Sequence, residues 1–302
     1  MRKILVHGMQ GLGDNLMQRP FVRLLSQRQT SVFLITPWPE FYKDLDVAVV
    51  KPNSRLRTQR KHEDRYRGKW SDMPRSALPV RIGYGMRSLA AGSIYQAIEQ
   101  VVPLGNRGKG FSLDLPDMGD PWPVQTGGKP LAVVRPVTVR LEWNNTARSP
   151  KPEYVAWVAG KLMETHHVVC VADCADGKEW VLGDLPPCHE SYLHGEIGVL
   201  ELLEMLRRAD IVVGGVGWIV PASLALGIRC FCLLGGCGGH NAPEKITDPR
   251  LDLSRLAFAT PDRFCCCPHM QHDCDKTNTN LEAQWDSAVA TWSAVPARMA
   301  TA

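Results

Sequence analysis

From Leu131 onward the sequence alternates between short apolar runs and helical stretches. "LAVVRP" is followed by "PEYVAWVAGKLMETH", then "HVVCVA", "VLELLEMLRRAD", "IVVGG", "IVPASLALG" and "RCFCLLGG". A strand reached through a helical crossover returns in the same direction as the strand before it, so this order dictates a parallel sheet. The runs are apolar on both faces, which requires helices above and below. In "VLELLEMLRRAD", Val199, Leu202, Leu203 and Leu206 form the inward stripe of an amphipathic helix. Pro152 opens "PEYVAWVAGKLMETH" at a position where a missing N–H costs nothing.

The N-terminus shows the same pattern once. "KILV" leads into a glycine-rich turn. Leu16, Met17, Phe21, Leu24 and Leu25 then recur at helical spacing, and "VFLI" follows. The two patterns are separated by Ser112–Lys129, where Pro116, Pro121, Pro123, Gly119, Gly127 and Gly128 mark a linker. With 302 residues, 44% of them apolar, the chain has material for two cores. The expected division is an N-terminal Rossmann-like domain over 1–120, a C-terminal one over 121–280, and a last helix within 281–302. In that helix Leu281, Trp285, Val289 and Trp292 are apolar, and it is expected to pack back on the first domain.

No apolar run is long enough to span a membrane, and "MRKILVHG" lacks the features of a signal peptide. A cytoplasmic location is the expectation. The net charge of +4 excludes nothing by itself. Most of the 10 cysteines lie in apolar runs and read as buried small residues of a reducing compartment.

The turn "HGMQGLGDNL" concentrates the chemistry of the first half. Gly8, Gly11 and Gly13 free the backbone for positive φ and for close approach of a ligand, and the helix start that follows favours anions. The spacing is neither a phosphate loop nor a clean dinucleotide fingerprint. "FLITPWPEF" offers only Glu40 where a ribose-binding acid would stand. Asp14 has two readings. It is a good capping residue for the helix, or it is an ionised carboxylate placed to accept a proton from a substrate hydroxyl.

"GMQGLGDNLMQRPFVRLL" resembles the opening of the heptosyltransferase-like glycosyltransferases (glycosyltransferase family 9-like). There a first strand runs into a G-x-G-D turn and a proline-containing helix. "LLEMLRRADIVVGGVGWIVPASLALGIRCFCLLGG" is similar to that family's later helix, strand, helix and glycine-ended strand. The resemblance implies an α/β GT-B fold, with two Rossmann-like domains whose parallel sheets face across a cleft. It implies an acceptor on the N-terminal domain, a nucleotide-sugar donor on the C-terminal one, Asp14 as catalytic base, and no catalytic metal.

The chain departs from the family pattern after "VVGG". Val216 stands where the family carries an acid, and Pro221 where it carries histidine. The backbone of Gly214, Gly215, Gly217 and Trp218 still offers a helix start to a diphosphate, and Trp218 is either a stacking platform or a core residue. Arg135, Arg140, Arg148 and Lys151 supply cations just after a strand, suited to a departing diphosphate. Arg148 and Lys151 match the family's phosphate-binding base best. Gly235, Gly236, His240 and Asn241 follow the last strong strand, where α/β sheets bind ligands. Together with Gly11 and Gly13 these form the expected donor set.

Two further features stand apart. "FCCCPHMQHDCDK" offers Cys265, Cys267, His272 and Cys274 as ligands of a structural zinc; a disulfide-like staple or a metal-free loop are the alternatives. Arg55, Arg57, Arg60, Lys61, Arg65, Arg67 and Lys69 form a cationic patch, either a solvated loop or exposed helix or a docking site for a polyanionic acceptor. Phosphorylated lipopolysaccharide core fits such a patch, and so does nucleic acid, as in the DNA-modifying glycosyltransferases that phages encode. Two other functions fit the same fold: a non-catalytic binding module, and a nucleotide-sugar epimerase.

Overall fold

The computed structural model describes residues 2–28, 30–102, 111–120 and 122–295. Pro121 of the expected linker and residues 296–302 of the expected tail lie outside the described residues. The chain forms two compact units: Met1–Asp117 with Glu244–Leu251, and Met118–Pro243 with Asp252–Ala302.

The first unit contains β1 (Arg2–His7), α1 (Leu12–Ser26), β2 (Thr30–Ile35), β3 (Val47–Val50), α2 (Arg57–Arg65), β4 (Leu78–Arg81), α3 (Met86–Ala91) and α4 (Ile94–Val101). Its sheet is parallel, in the order β3-β2-β1-β4. Val6 lies opposite both Leu34 and Val80 in the register. α1 forms because its apolar positions face that sheet. Leu16, Met17, Phe21, Val22 and Leu25 are buried, and Phe21 and Val22 have no exposed surface at all (0%).

α1 also buries a polar stripe that its apolar spacing does not announce. Arg19 is fully buried. Its guanidinium donates to Asp44 at 2.6 Å and to Asp114 at 2.9 Å, and also to the Phe41 carbonyl. Such a charge is tolerated in a core only when paired in this way. One turn earlier, Asn15 and Gln18 make a buried network with Tyr42, Thr36 and the loop after β1.

The second unit contains β5 (Leu131–Val134), β6 (Thr138–Arg140), α5 (Pro152–Met163), β7 (His167–Val171), β8 (Glu179–Val181), β9 (Glu190–Tyr192), α6 (Val199–Arg208), β10 (Ile211–Gly215), α7 (Ile219–Leu226), β11 (Arg229–Leu233) and the short α8 (Gly238–Asn241). The short α9 (Pro243–Ile246) crosses into the first unit; β12 (Leu256–Ala259) and α10 (Leu281–Ser293) complete the second. Six strands form a parallel sheet in the order β12-β11-β10-β5-β7-β9, and β6 and β8 form an antiparallel ribbon.

α10 gives Leu281, Ala288 and Trp292 to the core of the second unit, and Trp285 stands edge-on to Phe231 with ring centroids 5.0 Å apart. The structure corrects two expectations. Val289, expected on its apolar face, is exposed. Finally, Gly8, Gly11 and Gly13 are not in the positive-φ region. Gly8 lacks room rather than rotation: a Cβ there would stand 2.9 Å from Gln18 Nε2 and 3.1 Å from the Ile35 carbonyl.

Candidate functional site

Asp14 is the third residue of α1. The backbone N–H of Gly11, the N-cap, donates to its Oδ2 at 3.2 Å. A Cβ at Gly11 would lie 2.6 Å from that same oxygen, so the glycine is needed to admit the carboxylate. The anion at this helix start is therefore the chain's own side chain. Gly13 lies inside the first turn of α1, and Gly11 donates its N–H to Asp14. The second carboxylate oxygen, Oδ1, accepts from the Tyr84 hydroxyl at 3.3 Å near the surface. Capping and proton acceptance are compatible here, because the cap uses one oxygen and the other faces the exposed Tyr84.

The loop that precedes Asp14 is held from several sides. Gln10 presents its carbonyl to both Trp38 Nε1 and Gln59 Nε2, each at 2.9 Å. Gln59 is on α2, the helix within the cationic segment. α2 buries Gln59 and Glu63, and His62 pairs with Glu40 at 2.5 Å while its ring lies against Trp38. Its buried face is polar, which is why no apolar stripe shows in the sequence. Arg55, Arg60, Arg65, Arg67 and Lys69 are exposed, and Arg57 and Lys61 are partly so.

In the second unit the candidate donor residues gather at the carboxyl ends of β5, β10 and β11. Arg135 follows β5. A Cβ on Gly214 would stand 2.9 Å from the Arg135 carbonyl, and one on Gly217 would meet Arg135 Nη1 at 3.4 Å. A Cβ at Gly215 would meet Pro150 at 2.8 Å, and one at Gly235 would collide with the Ser149 carbonyl. These glycines are small because the 135–150 segment lies on them. Arg148 accepts the Gly235 N–H through its carbonyl at 3.2 Å, and its guanidinium sits 4.9 Å over the Trp143 ring. Lys151 is the N-cap of α5 and reaches Thr277 at 3.5 Å. Trp218 is half-buried at the start of α7, Val216 is buried, and Pro221 is buried within that helix.

Arg135 is the singular member of this group. Its side chain is half-buried and makes no hydrogen bond or ion pair among the described residues. Partial burial and the neighbouring cation Arg148 push its pKa down to about 10, against the opposing charge of Glu179. A half-buried cation without a hydrogen-bonded partner is an arrangement that a bound anion relieves. Arg140, by contrast, is occupied: its Nε and Nη2 donate to Glu179 at 2.8 and 3.1 Å across the β6–β8 ribbon. Asn241 is occupied as well, donating to the Cys237 carbonyl at 3.0 Å in a buried turn. His240 Nδ1 lies 3.9 Å from Cys237 Sγ.

Cys265, Cys267, His272 and Cys274 converge, with their ligand atoms all within 4.8 Å of one another. His272 Nδ1 lies 3.5 Å from Cys265 Sγ and 3.3 Å from Cys274 Sγ, and Cys267 Sγ lies 3.6 Å from Cys274 Sγ. A tetrahedral ion with ordinary metal–sulfur and metal–nitrogen bonds sets its ligands about 3.5–3.8 Å apart, so the donor set fits one. All four side chains are soft or borderline donors suited to zinc or iron. The cysteines are free in this structure.

Two contributors were not visible in the sequence. Tyr84 lies 70 residues from the Asp14 it touches, and no local pattern links them. Cys237 has φ 56° and is the one non-glycine residue in the positive-φ region among the described residues. Its place inside "GGCGG" was the signal available.

The two parallel-sheet units have the α/β GT-B fold seen in heptosyltransferases. Among solved structures, the chain is similar to the dodecameric iron-containing heptosyltransferase TibC of enterotoxigenic Escherichia coli, in complex with ADP-D-β-D-heptose: 16% identity, TM-score 0.61, 97% of this chain and 76% of that one. It is similar to E. coli ADP-heptose lipopolysaccharide heptosyltransferase II (13% identity, TM-score 0.56, 97% of this chain and 100% of that one). It is also similar to E. coli heptosyltransferase WaaC with ADP (12%, 0.52, 98% and 100%). No protein-family model matches the chain, and no curated protein matches it. No helix among the described residues is long and apolar enough to cross a membrane.

Proposed function

We propose that the chain is a glycosyltransferase that takes a sugar from a nucleoside-diphosphate donor held by the second unit and gives it to a phosphorylated glycan held by the first. The observation that carries this is Arg135, a half-buried cation with no hydrogen-bonded carboxylate, beside the glycine-lined start of α7 and next to Arg148. That arrangement suits a diphosphate, whose charge grows as the sugar leaves. The fold neighbours bound to ADP or an ADP-sugar support the same class of donor. The altered Val216 and Pro221 leave the sugar and base to be found by experiment.

In this reading Asp14 accepts the proton of the acceptor hydroxyl. The hydroxyl oxygen bonds to the anomeric carbon, the bond from that carbon to the diphosphate oxygen breaks, and Arg135 and Arg148 stabilise the departing charge. The cationic residues around α2 attract the acceptor's phosphates, since Gln59 ties that helix to the loop before Asp14. Cys265, Cys267, His272 and Cys274 would hold a structural zinc or iron; TibC is described as iron-containing. Elemental analysis of the purified protein decides which.

A thermal-shift screen against ADP, UDP, GDP, CMP and dTDP and their sugars tests the donor. A rise with one nucleotide family is expected. Transfer is then assayed on phosphorylated and dephosphorylated lipopolysaccharide core. Val216 and Pro221 favour a second reading, a binding module without catalysis. Nucleotide binding with neither transfer nor donor hydrolysis would establish it, and no nucleotide binding at all would remove the donor site from both readings.

A further inference from the structure

Residues 264–277, which carry the cysteine–histidine cluster, contain no helix or strand. This stretch is nevertheless bonded to both loops that carry the candidate donor residues. On one side, the Gly238 N–H donates to the Cys265 carbonyl at 2.9 Å and the Gly239 N–H to the Cys267 carbonyl at 3.2 Å. A Cβ on Gly236 would lie 2.5 Å from Cys274 Sγ, so this turn lies directly on the cluster. On the other side, the Ala147 N–H donates to the Met270 carbonyl at 2.9 Å, and Lys276 Nζ to the Thr146 carbonyl at 2.6 Å. The two loops then meet each other through the Gly235 N–H and the Arg148 carbonyl.

These contacts form a closed ring of three segments. Without regular structure of its own, 264–277 is shaped by whatever joins its four ligands. A cation bound there closes the segment on itself and fixes the carbonyls of Cys265, Cys267 and Met270 together with Lys276. Those groups position Arg148 and the turn from Gly235 to Gly239. Gly236, in the donor loop itself, packs directly on Cys274 Sγ, the kind of outer contact that orients ligands and tunes their affinity.

We infer that occupancy of the Cys265/Cys267/His272/Cys274 site by a thiolate-preferring divalent cation sets the affinity of the nucleotide site, with Lys276 as a positioning residue between them. This rests on the donor reading given above. Linkage requires the effect to be mutual: the factor by which metal tightens nucleotide binding is the factor by which nucleotide tightens metal binding.

The test uses the full chain, stripped of metal by a chelator and reloaded with Zn²⁺ or Co²⁺, and the nucleoside diphosphate that shifts the loaded protein most. Calorimetry gives the nucleotide Kd in each form. A competing chelator gives the Zn²⁺ Kd with and without nucleotide, and Co²⁺ absorption reports a tetrahedral sulfur-rich site. The expected result is nucleotide binding at least ten-fold weaker in the stripped protein, with Zn²⁺ binding tightened by the same factor when nucleotide is present. Equal nucleotide affinity in both forms overturns the coupling and leaves the donor reading standing. No nucleotide binding by the loaded protein overturns the donor reading and the coupling with it. Absence of a tetrahedral Co²⁺ spectrum overturns the metal site.

If stripping unfolds the chain, Lys276→Met decides. The Lys276 ammonium hydrogen-bonds the Thr146 carbonyl and is not itself a ligand, so the Co²⁺ spectrum should keep its tetrahedral form while nucleotide binding weakens several-fold. Unchanged nucleotide affinity in that variant overturns the inference.

Discussion

Replacing Arg135 by methionine should make the protein more stable and poorer at binding nucleotide. An ordinary guanidinium titrates above 12, whereas burial and Arg148 bring this one to about 10. Each power of ten in proton affinity is worth about 1.4 kcal/mol, and part of the side chain stays solvated, so holding the charge in the folded protein costs on the order of 1–3 kcal/mol at neutral pH. The sign follows from the depressed value. The folded chain binds this proton less tightly than the unfolded chain, so the charge disfavours folding at every pH below about 10. Methionine keeps much of the side-chain volume and removes that cost. It also removes charge-assisted hydrogen bonds to a diphosphate, worth about 1.5–3 kcal/mol, or about a ten- to hundred-fold loss in affinity. The assay is a melting curve with and without saturating nucleoside diphosphate. The variant should melt a few degrees higher than the parent without ligand and respond little to nucleotide. A fall of several degrees together with an undiminished nucleotide response would refute the reasoning and make Arg135 a structural residue.

Asp14→Asn should abolish transfer while leaving donor affinity within two-fold, read by calorimetry. The amide oxygen still accepts from Gly11, so the melting temperature should move little. Arg19→Met should cost about 3–5 kcal/mol in chemical denaturation, because Asp44 and Asp114 lose their buried partner. Burial alone would raise the Asp44 pKa, but the hydrogen bond and charge of Arg19 outweigh it and hold that carboxyl below the usual range. Its contribution is thus present above the ordinary carboxylate pKa and lost as pH falls through the depressed value. Acid titration of stability should show a loss in that window for the parent, reduced in Arg19→Met.

The elements with strong periodicity were legible from the sequence. The parallel sheet of the second unit, with α5, α6, α7 and the strands between them, follows from apolar runs that repeat with helical crossovers. The convergence of Cys265, Cys267, His272 and Cys274 was legible because they lie within ten residues of one another and metal chemistry narrows the choice. What escaped was set by distance along the chain. Glu179 claims Arg140, Tyr84 reaches Asp14, and Asp114 neutralises Arg19 from far away. The glycine turn misled in a specific way: its glycines were read as serving rotation and a foreign anion, whereas Gly8 and Gly11 make room for Gln18 and Asp14. The apolar face of the tail says that it docks, but its contacts with Phe231 and its neighbours in the second unit are set by distant residues.

The return of Glu244–Leu251 to the first unit bears on how the chain is made. Ser93 Oγ donates to Asp248 Oδ2 at 3.2 Å, and Arg250 pairs with Glu99 at 2.9 Å and with Asp248 at 2.8 Å. A ribosome delivers Ser93 and Glu99 long before it delivers Asp248 and Arg250. At ordinary synthesis rates the intervening 118–243 takes on the order of 10 s. The first unit therefore waits, with those groups uncovered, until much of the second has emerged. A fragment cut at Asp117 lacks a piece of its own structure, and the shortest product in which the first unit is whole ends beyond Leu251.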